Sequence, residues 1–143
     1  RNYFDSVSKT RNALPKDVQE RSRVIEYLDE TAVFMSAADM IVSRSGASTL
    51  SEIFCSNLPS VLVPSPNVAE NHQLANALFA QEANASVVLE EGPDFEARIL
   101  KATTQVLDDD VLRSRMSDAA KQNCRGKDAG QKILTFVNAL TAT

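Results

Sequence analysis

Short runs of valine, isoleucine and leucine alternate with amphipathic stretches as far as Gly92-Pro93, and purely helical patterning follows. Residues 24–28 (VIEYL), 40–43, 60–63 and 86–89 read as strands. Residues 31–38, 49–56 and 72–83 read as the helices between them. SVLV and SVVL are apolar throughout rather than alternating, which suits strands whose two sheet faces are both covered by helices. The expected fold class is therefore α/β, a doubly wound, Rossmann-like parallel sheet. About four strands are visible where five or six are usual, so the sheet is expected to be incomplete at its amino end. The whole of 1–143 is expected to be one partial domain, with a βαβ core over about 24–92 and carboxyl-terminal helices over 93–143.

In that helical tail, Phe95, Ile99, Ala102 and Val106 fall at i, i+4, i+7 and i+11, one stripe of a helix. Asp108-Asp109-Asp110 supplies an N-cap and acidic first turn for a second helix carrying Leu112, Met116 and Ala119 or Ala120. The triplet is expected to cap rather than to hold a metal. Residues 124–128 break that helix, and Ile133, Phe136, Val137 and Leu140 form a last stripe.

Composition narrows the function classes. With 143 residues, 43% of them hydrophobic, the chain is long enough for a real core. A net charge of −4 leaves no basic field for nucleic acid or anionic lipid, so an anionic ligand has to be held by local backbone dipoles. No apolar run reaches the roughly 20 residues that span a bilayer, and no signal or transit peptide is visible. The chain starts at Arg1 in a polar stretch, which reads as the interior of a longer protein. Cys55 and Cys124 lack CxxC spacing and have one histidine for company, against a zinc or iron–sulfur site. They read as reduced thiols of a cytoplasmic protein, Cys55 as a small core residue.

Two strand–loop–helix segments carry the candidate chemistry. In 42–52 (VSRSGASTLSE) a strand turns through Arg44, Ser45, Gly46 and Ala47 into a helix, aiming backbone N–H groups and a positive dipole end at one place, which suits a phosphate. Gly46 serves either a close approach of backbone to ligand or a turn with positive φ. Ser48 and Thr49 can cap the helix or contact phosphate oxygens. Glu52 either closes a capping box with Thr49 or accepts from the two hydroxyls of a ribose; the spacing fits both. In 59–77 (PSVLVPSPNVAENHQLANA), Asn71, His72, Gln73 and Asn76 open a helix where amides can bond sugar hydroxyls. His72 is a weak candidate for a general base, and Arg44 and Glu70 read as solvated or salt-bridged.

SRSGASTLSE followed by PSVLVPSPNVAENHQLANA resembles the donor-binding half of the MurG-type family of bacterial N-acetylglucosaminyltransferases, which build the peptidoglycan precursor. The resemblance runs from about residue 24 to the end. It implies the carboxyl-terminal half of a GT-B glycosyltransferase. The whole enzyme would move N-acetylglucosamine from UDP-N-acetylglucosamine to the C4 hydroxyl of muramyl-pentapeptide on lipid I, inverting the anomeric centre. By the same resemblance, backbone at Leu28 pairs with uracil, Gly46, Ala47, Ser48 and Thr49 face the diphosphate, and Glu52 holds the ribose; Ser45, which leads into that turn, is a further candidate for substrate binding. His72 and Gln73 lie beside the N-acetylglucosamine hydroxyls with Asn76 nearby. No metal or other cofactor is implied, and no nucleic-acid partner.

The family's glycine-rich loops have no counterpart here. Its acceptor-side domain, with the general base, the lipid I site and the contact to the inner face of the plasma membrane, is absent from the chain. A catalytic residue is therefore not expected within these 143 residues. Two other readings carry weight: a donor-binding subunit of a two-component transferase, and a non-catalytic nucleotide-sugar binding module.

Overall fold

Three parallel strands, β1 (Ile41–Ser43), β2 (Ser60–Leu62) and β3 (Ser86–Val88), lie side by side in that order, with Ser60 opposite both Ile41 and Ser86. The computed structural model describes residues 2–66, 71–124 and 129–141. Its helices are α1 (Asn2–Asn12), α2 (Lys16–Glu20), α3 (Thr31–Ala37), α4 (Ala47–Cys55), α5 (His72–Glu82), α6 (Phe95–Asp108), α7 (Asp110–Asn123) and α8 (Ala129–Thr141). The chain divides into two compact units, Arg1–Thr31 and Ala32–Thr143.

The first unit is held by polar side chains rather than by a core. The Arg11 guanidinium donates to the carbonyl oxygens of Gln19 and Ser22, and Gln19 Nε2 donates to those of Asn12 (3.1 Å) and Leu14 (2.7 Å). None of its described side chains is buried. Residues 24–28, expected as a strand, form no strand. Apolar β-branched residues favour extended backbone, but a strand needs a neighbour for its N–H and C=O groups, and none of the described residues supplies a ladder there.

In the second unit the expected alternation is present, with each edge within two residues. Successive side chains of β2 enter opposite layers. Leu62 joins Met35, Leu50, Ile53, Phe54, Ala77 and Ala80 beneath α4 and α5. Val61 joins Ala102, Val106 and Met116 from α6 and α7. Both faces are covered, as the unbroken apolar run of β2 implied, and all three residues of β2 are buried. The one polar pair inside the ladder, Ser60 and Ser86, satisfies itself with an Oγ–Oγ hydrogen bond of 2.6 Å. Each large apolar side chain buried here contributes about 1.5–3 kcal/mol.

Helices α4 and α5 end alike. Asn57 and Asn84 take the left-handed conformation at φ 55° and 59°. Their N–H groups donate to Phe54 and Gln81, and the next N–H groups, from Leu58 and Ala85, reach back to Ile53 and Ala80. This double closure satisfies the orphan carbonyls of a helix end and turns the chain into the following strand. Asparagine is one of the few non-glycine residues that tolerate this backbone.

The tail follows its stripes except at the end. Ala102 and Val106 are buried, Phe95 and Ile99 half-buried, and the Asp109 carboxylate accepts from the Leu112 N–H at 2.8 Å, so the acidic triplet does cap α7. The stripe on α8 forms, yet Ile133 and Phe136 are 64% and 66% exposed. Residues 125–128, the expected break before α8, lie outside the described residues, as does Glu70.

The two cysteines correct an expectation. They are joined in a disulfide, not reduced, with Cα atoms 4.9 Å apart. Although 69 residues separate them, α4 packs on α7 and sets the carboxyl end of one beside that of the other. Sequence spacing holds no trace of that packing.

Candidate functional site

Parallel strands deliver their carboxyl ends to one edge, and the connections after β1 and β2 meet there. The polypeptide leaves β1 through Arg44 and Ser45 and enters α4 at Gly46. Gly46 is the N-cap: its backbone is extended (φ −62°, ψ 148°) and its carbonyl accepts the first helical bond from Leu50 at 2.9 Å. Two expectations fall here. No positive φ requires glycine, and Thr49 is the third helical residue rather than the cap, so it forms no capping box with Glu52. A Cβ on Gly46 would meet protein only at Thr49 Oγ1, 3.8 Å away, which is ordinary contact. Packing among the described residues therefore leaves room for a side chain at Gly46, and the reading that backbone approaches a ligand there stays open.

The first turn of α4 presents the N–H groups of Ala47, Ser48 and Thr49, which lack partners within the helix, and the positive end of its dipole. Among the described residues no side chain caps them. Ala47 and Ser48 are exposed and Thr49 half-buried. Glu52 follows Ser48 by four residues and Thr49 by three, so it shares their helix face. It is exposed, and its carboxylate has no hydrogen bond or ion pair among the described residues. An anion at the helix end and a diol at Glu52 would lie along one face.

The second connection is fastened to the first. Ser45, fully buried, donates from Oγ to the Gln73 carbonyl at 2.7 Å, and its own carbonyl accepts from Asn76 Nδ2 at 3.0 Å. Gln73 Oε1 accepts from the Ser65 N–H at 2.9 Å. These bonds orient both amides. Among the described residues this leaves the Nε2 donors of Gln73 and the Oδ1 acceptor of Asn76 without a hydrogen-bond partner. His72 opens α5, exposed, after Asn71, which adopts φ 51°.

Arg44 adds a third tie that sequence reasoning read only as a solvated or paired surface group. Its guanidinium donates to the carbonyls of Val63 and Pro64, each at 3.3 Å, and pairs with Glu91 beyond β3 at 2.5 Å. Nothing in the spacing of 44, 63 and 91 announces the three carboxyl ends that this side chain joins.

Of the ten residues singled out from sequence, the second unit brings Ser45, Gly46, Ala47, Ser48, Thr49, Glu52, His72, Gln73 and Asn76 onto these two fastened connections. Ser45 differs from its expected role, because burial and its bond to Gln73 keep its hydroxyl from a ligand. Leu28 belongs to the first unit, half-buried in irregular backbone. Among the described residues no group of three or more His, Cys, Asp or Glu could hold a metal ion, and no helix is long and apolar enough to cross a membrane.

Comparison with known proteins identifies the family. Residues 5–132 match the glycosyltransferase family 28 C-terminal domain. A UDP-N-acetylglucosamine–N-acetylmuramyl-(pentapeptide) pyrophosphoryl-undecaprenol N-acetylglucosamine transferase from Salinibacter ruber is 38% identical over 138 residues, 96% of this chain and 35% of the relative. The transferase of the same name from Sorangium cellulosum is 40% identical over 100 residues, 70% of this chain and 25% of the relative. The crystal structure of Acinetobacter baumannii MurG superimposes with a TM-score of 0.67 at 26% identity, over 82% of this chain and 35% of that one. The chain thus spans about a third or less of the length of these relatives.

Proposed function

Because the chain belongs to the glycosyltransferase family 28 C-terminal domains, we propose that it holds the nucleotide-sugar donor, UDP-N-acetylglucosamine, for transfer of N-acetylglucosamine to lipid I to form lipid II. The observation that carries this reading is the exposed α4 amino terminus with an unpartnered Glu52 on the same helix face, fastened to a segment offering one amide donor and one amide acceptor.

The chemistry follows from those groups. The donor's diphosphate sits at the 46–49 turn, where the backbone N–H groups and the helix dipole meet its negative charge. Such a dipole is worth about 0.3–1 kcal/mol at an exposed site and more where water is excluded. That charge grows as the bond from the anomeric carbon to the diphosphate oxygen breaks, so the turn favours the transition state over bound substrate. Glu52 accepts from both ribose hydroxyls. His72, Gln73 Nε2 and Asn76 Oδ1 line the sugar. The acceptor hydroxyl attacks from the opposite face, inverting the anomeric centre and releasing UDP. The base that takes its proton and the groups that hold lipid I come from the remainder of a longer protein, which also makes the peripheral contact with the inner face of the plasma membrane. In this reading the backbone of α4, rather than a metal ion, neutralises the leaving group, and a chelator leaves donor affinity unchanged.

Isothermal titration of the 143-residue chain tests the proposal. UDP and UDP-N-acetylglucosamine bind and ADP binds more weakly. Glu52→Ala loses charge-assisted hydrogen bonds of about 1.5–3 kcal/mol, so it weakens both by at least about tenfold. Equal affinity for UDP and ADP, or no response from the folded chain, overturns it.

A further inference from the structure

The donor reading leaves open what sets the distance between the diphosphate turn and the sugar segment. These two pieces lie on separate connections, and side-chain-to-backbone hydrogen bonds tie them together where they meet. Arg44 and Ser45 lie there, immediately before Gly46. Arg44 grips Val63 and Pro64, where the β2–α5 connection begins. Ser45 grips Gln73 and is gripped by Asn76, where that connection has passed into α5. Two consecutive residues of the first connection therefore staple both ends of the second.

We propose that Ser45 and Asn76 are positioning residues that fix the 46–49 turn against the His72–Gln73 pair, so that one rigid frame spans the diphosphate and the sugar of the donor. The proposal rests on the donor-binding reading and deepens it. Ser45 is fully buried, so its hydroxyl acts through Gln73 rather than on the ligand. Its Oγ donates at one end of the residue and its carbonyl accepts at the other, and a shift in either bond carries the adjoining N-cap with it. The Asn76 amide cannot turn to offer Nδ2 to a sugar without releasing Ser45. Gln73 is held twice, through its carbonyl by Ser45 and through Oε1 by the Ser65 N–H. A ligand that uses only the turn needs no such frame, whereas one that bridges turn and sugar segment needs the two held to within about half an ångström.

The prediction concerns a ratio. In Ser45→Ala, the dissociation constant for UDP-N-acetylglucosamine rises relative to that for UDP by about three- to tenfold, the worth of one hydrogen bond. A variant that is merely less stable weakens both ligands in proportion and leaves the ratio alone. Amide NMR gives the second reading. UDP, which lacks the N-acetylglucosamine, moves the resonances of Gln73 and Asn76 together with those of 46–49 in the parent chain, and in Ser45→Ala only the turn responds. A folded Ser45→Ala chain with an unchanged ratio overturns the proposal. Should Ser45→Ala not fold, the parent spectrum decides: UDP that shifts the turn and leaves Gln73 and Asn76 in place overturns it as well. A folded parent chain that binds no UDP at all overturns the donor reading itself, a separate outcome from a bound chain with an unmoved ratio.

Discussion

Gly46 shows what a single residue reveals once its surroundings are known. From sequence it had two justifications, backbone conformation and close approach of a ligand. The observed φ of −62° removes the first, and a Cβ there would make only ordinary contact with Thr49 Oγ1, so the packing of the described residues does not exclude a side chain. Gly46→Ala therefore separates folding from binding. Alanine restricts the unfolded chain, a gain of about 0.4–1 kcal/mol, and is a poorer N-cap than glycine, a loss of similar size. Net stability by urea denaturation should change by less than about 1 kcal/mol, while UDP affinity falls at least about tenfold because the methyl group displaces the phosphate from charge-assisted N–H contacts. A large loss of stability would show that the glycine serves the fold instead. Glu52 was similarly ambiguous until the N-cap was located. The capping-box reading failed because a helix begins where backbone geometry allows, and Gly46 intercepts it three residues before Thr49.

At the scale of elements, patterning carried far where an element's partners are its own neighbours in the second unit. The runs around β1, β2 and β3 and the stripes of α6 and α7 were legible because burial on one or both faces leaves a period in the sequence. Residues 24–28 looked the same and were not a strand, since apolar character does not provide a pairing partner. Helices α1 and α2 escaped notice for the opposite reason: none of their described side chains is buried, and Arg11 and Gln19 bond to backbone without any period. The Cys55–Cys124 bond was equally hidden, being a product of α4 packing on α7. It closes a long loop containing β2, α5, β3, α6 and α7, so it constrains the unfolded chain strongly. Reduction, or Cys55→Ser, should lower the unfolding free energy by about 2–4 kcal/mol, read as a lower urea midpoint. Coincident curves for the oxidised and reduced chains would mean that the helix pair is held by its apolar contacts alone.

The molecule as a whole concentrates its stability in a small part of its length. Buried apolar side chains cluster on the two faces of β2, while α8 exposes every described side chain it has. The apolar stripe of α8 is as regular as that of α6, so periodicity alone could not distinguish a helix that fills a core from one that does not. The distinction lies in what each stripe meets, and for α8 the described residues provide no core. Stability measurements on two substitutions decide the matter. Ile53, fully buried between α4 and the sheet, should cost about 2–5 kcal/mol as Ile53→Ala, because its removal leaves a cavity that close-packed neighbours fill only in part. Phe136, larger but 66% exposed, should cost less than about 0.5 kcal/mol as Phe136→Ser, the range of an ordinary surface change. Equal losses would mean that α8 packs as deeply as α4. A near-neutral Phe136→Ser beside a costly Ile53→Ala would instead mark the α8 stripe as surface that the fold of these 143 residues does not use, in a chain about a third the length of its relatives. It would also place the determinants of folding and the proposed donor site together on α4, whose buried face carries Ile53 and whose exposed amino terminus carries Gly46.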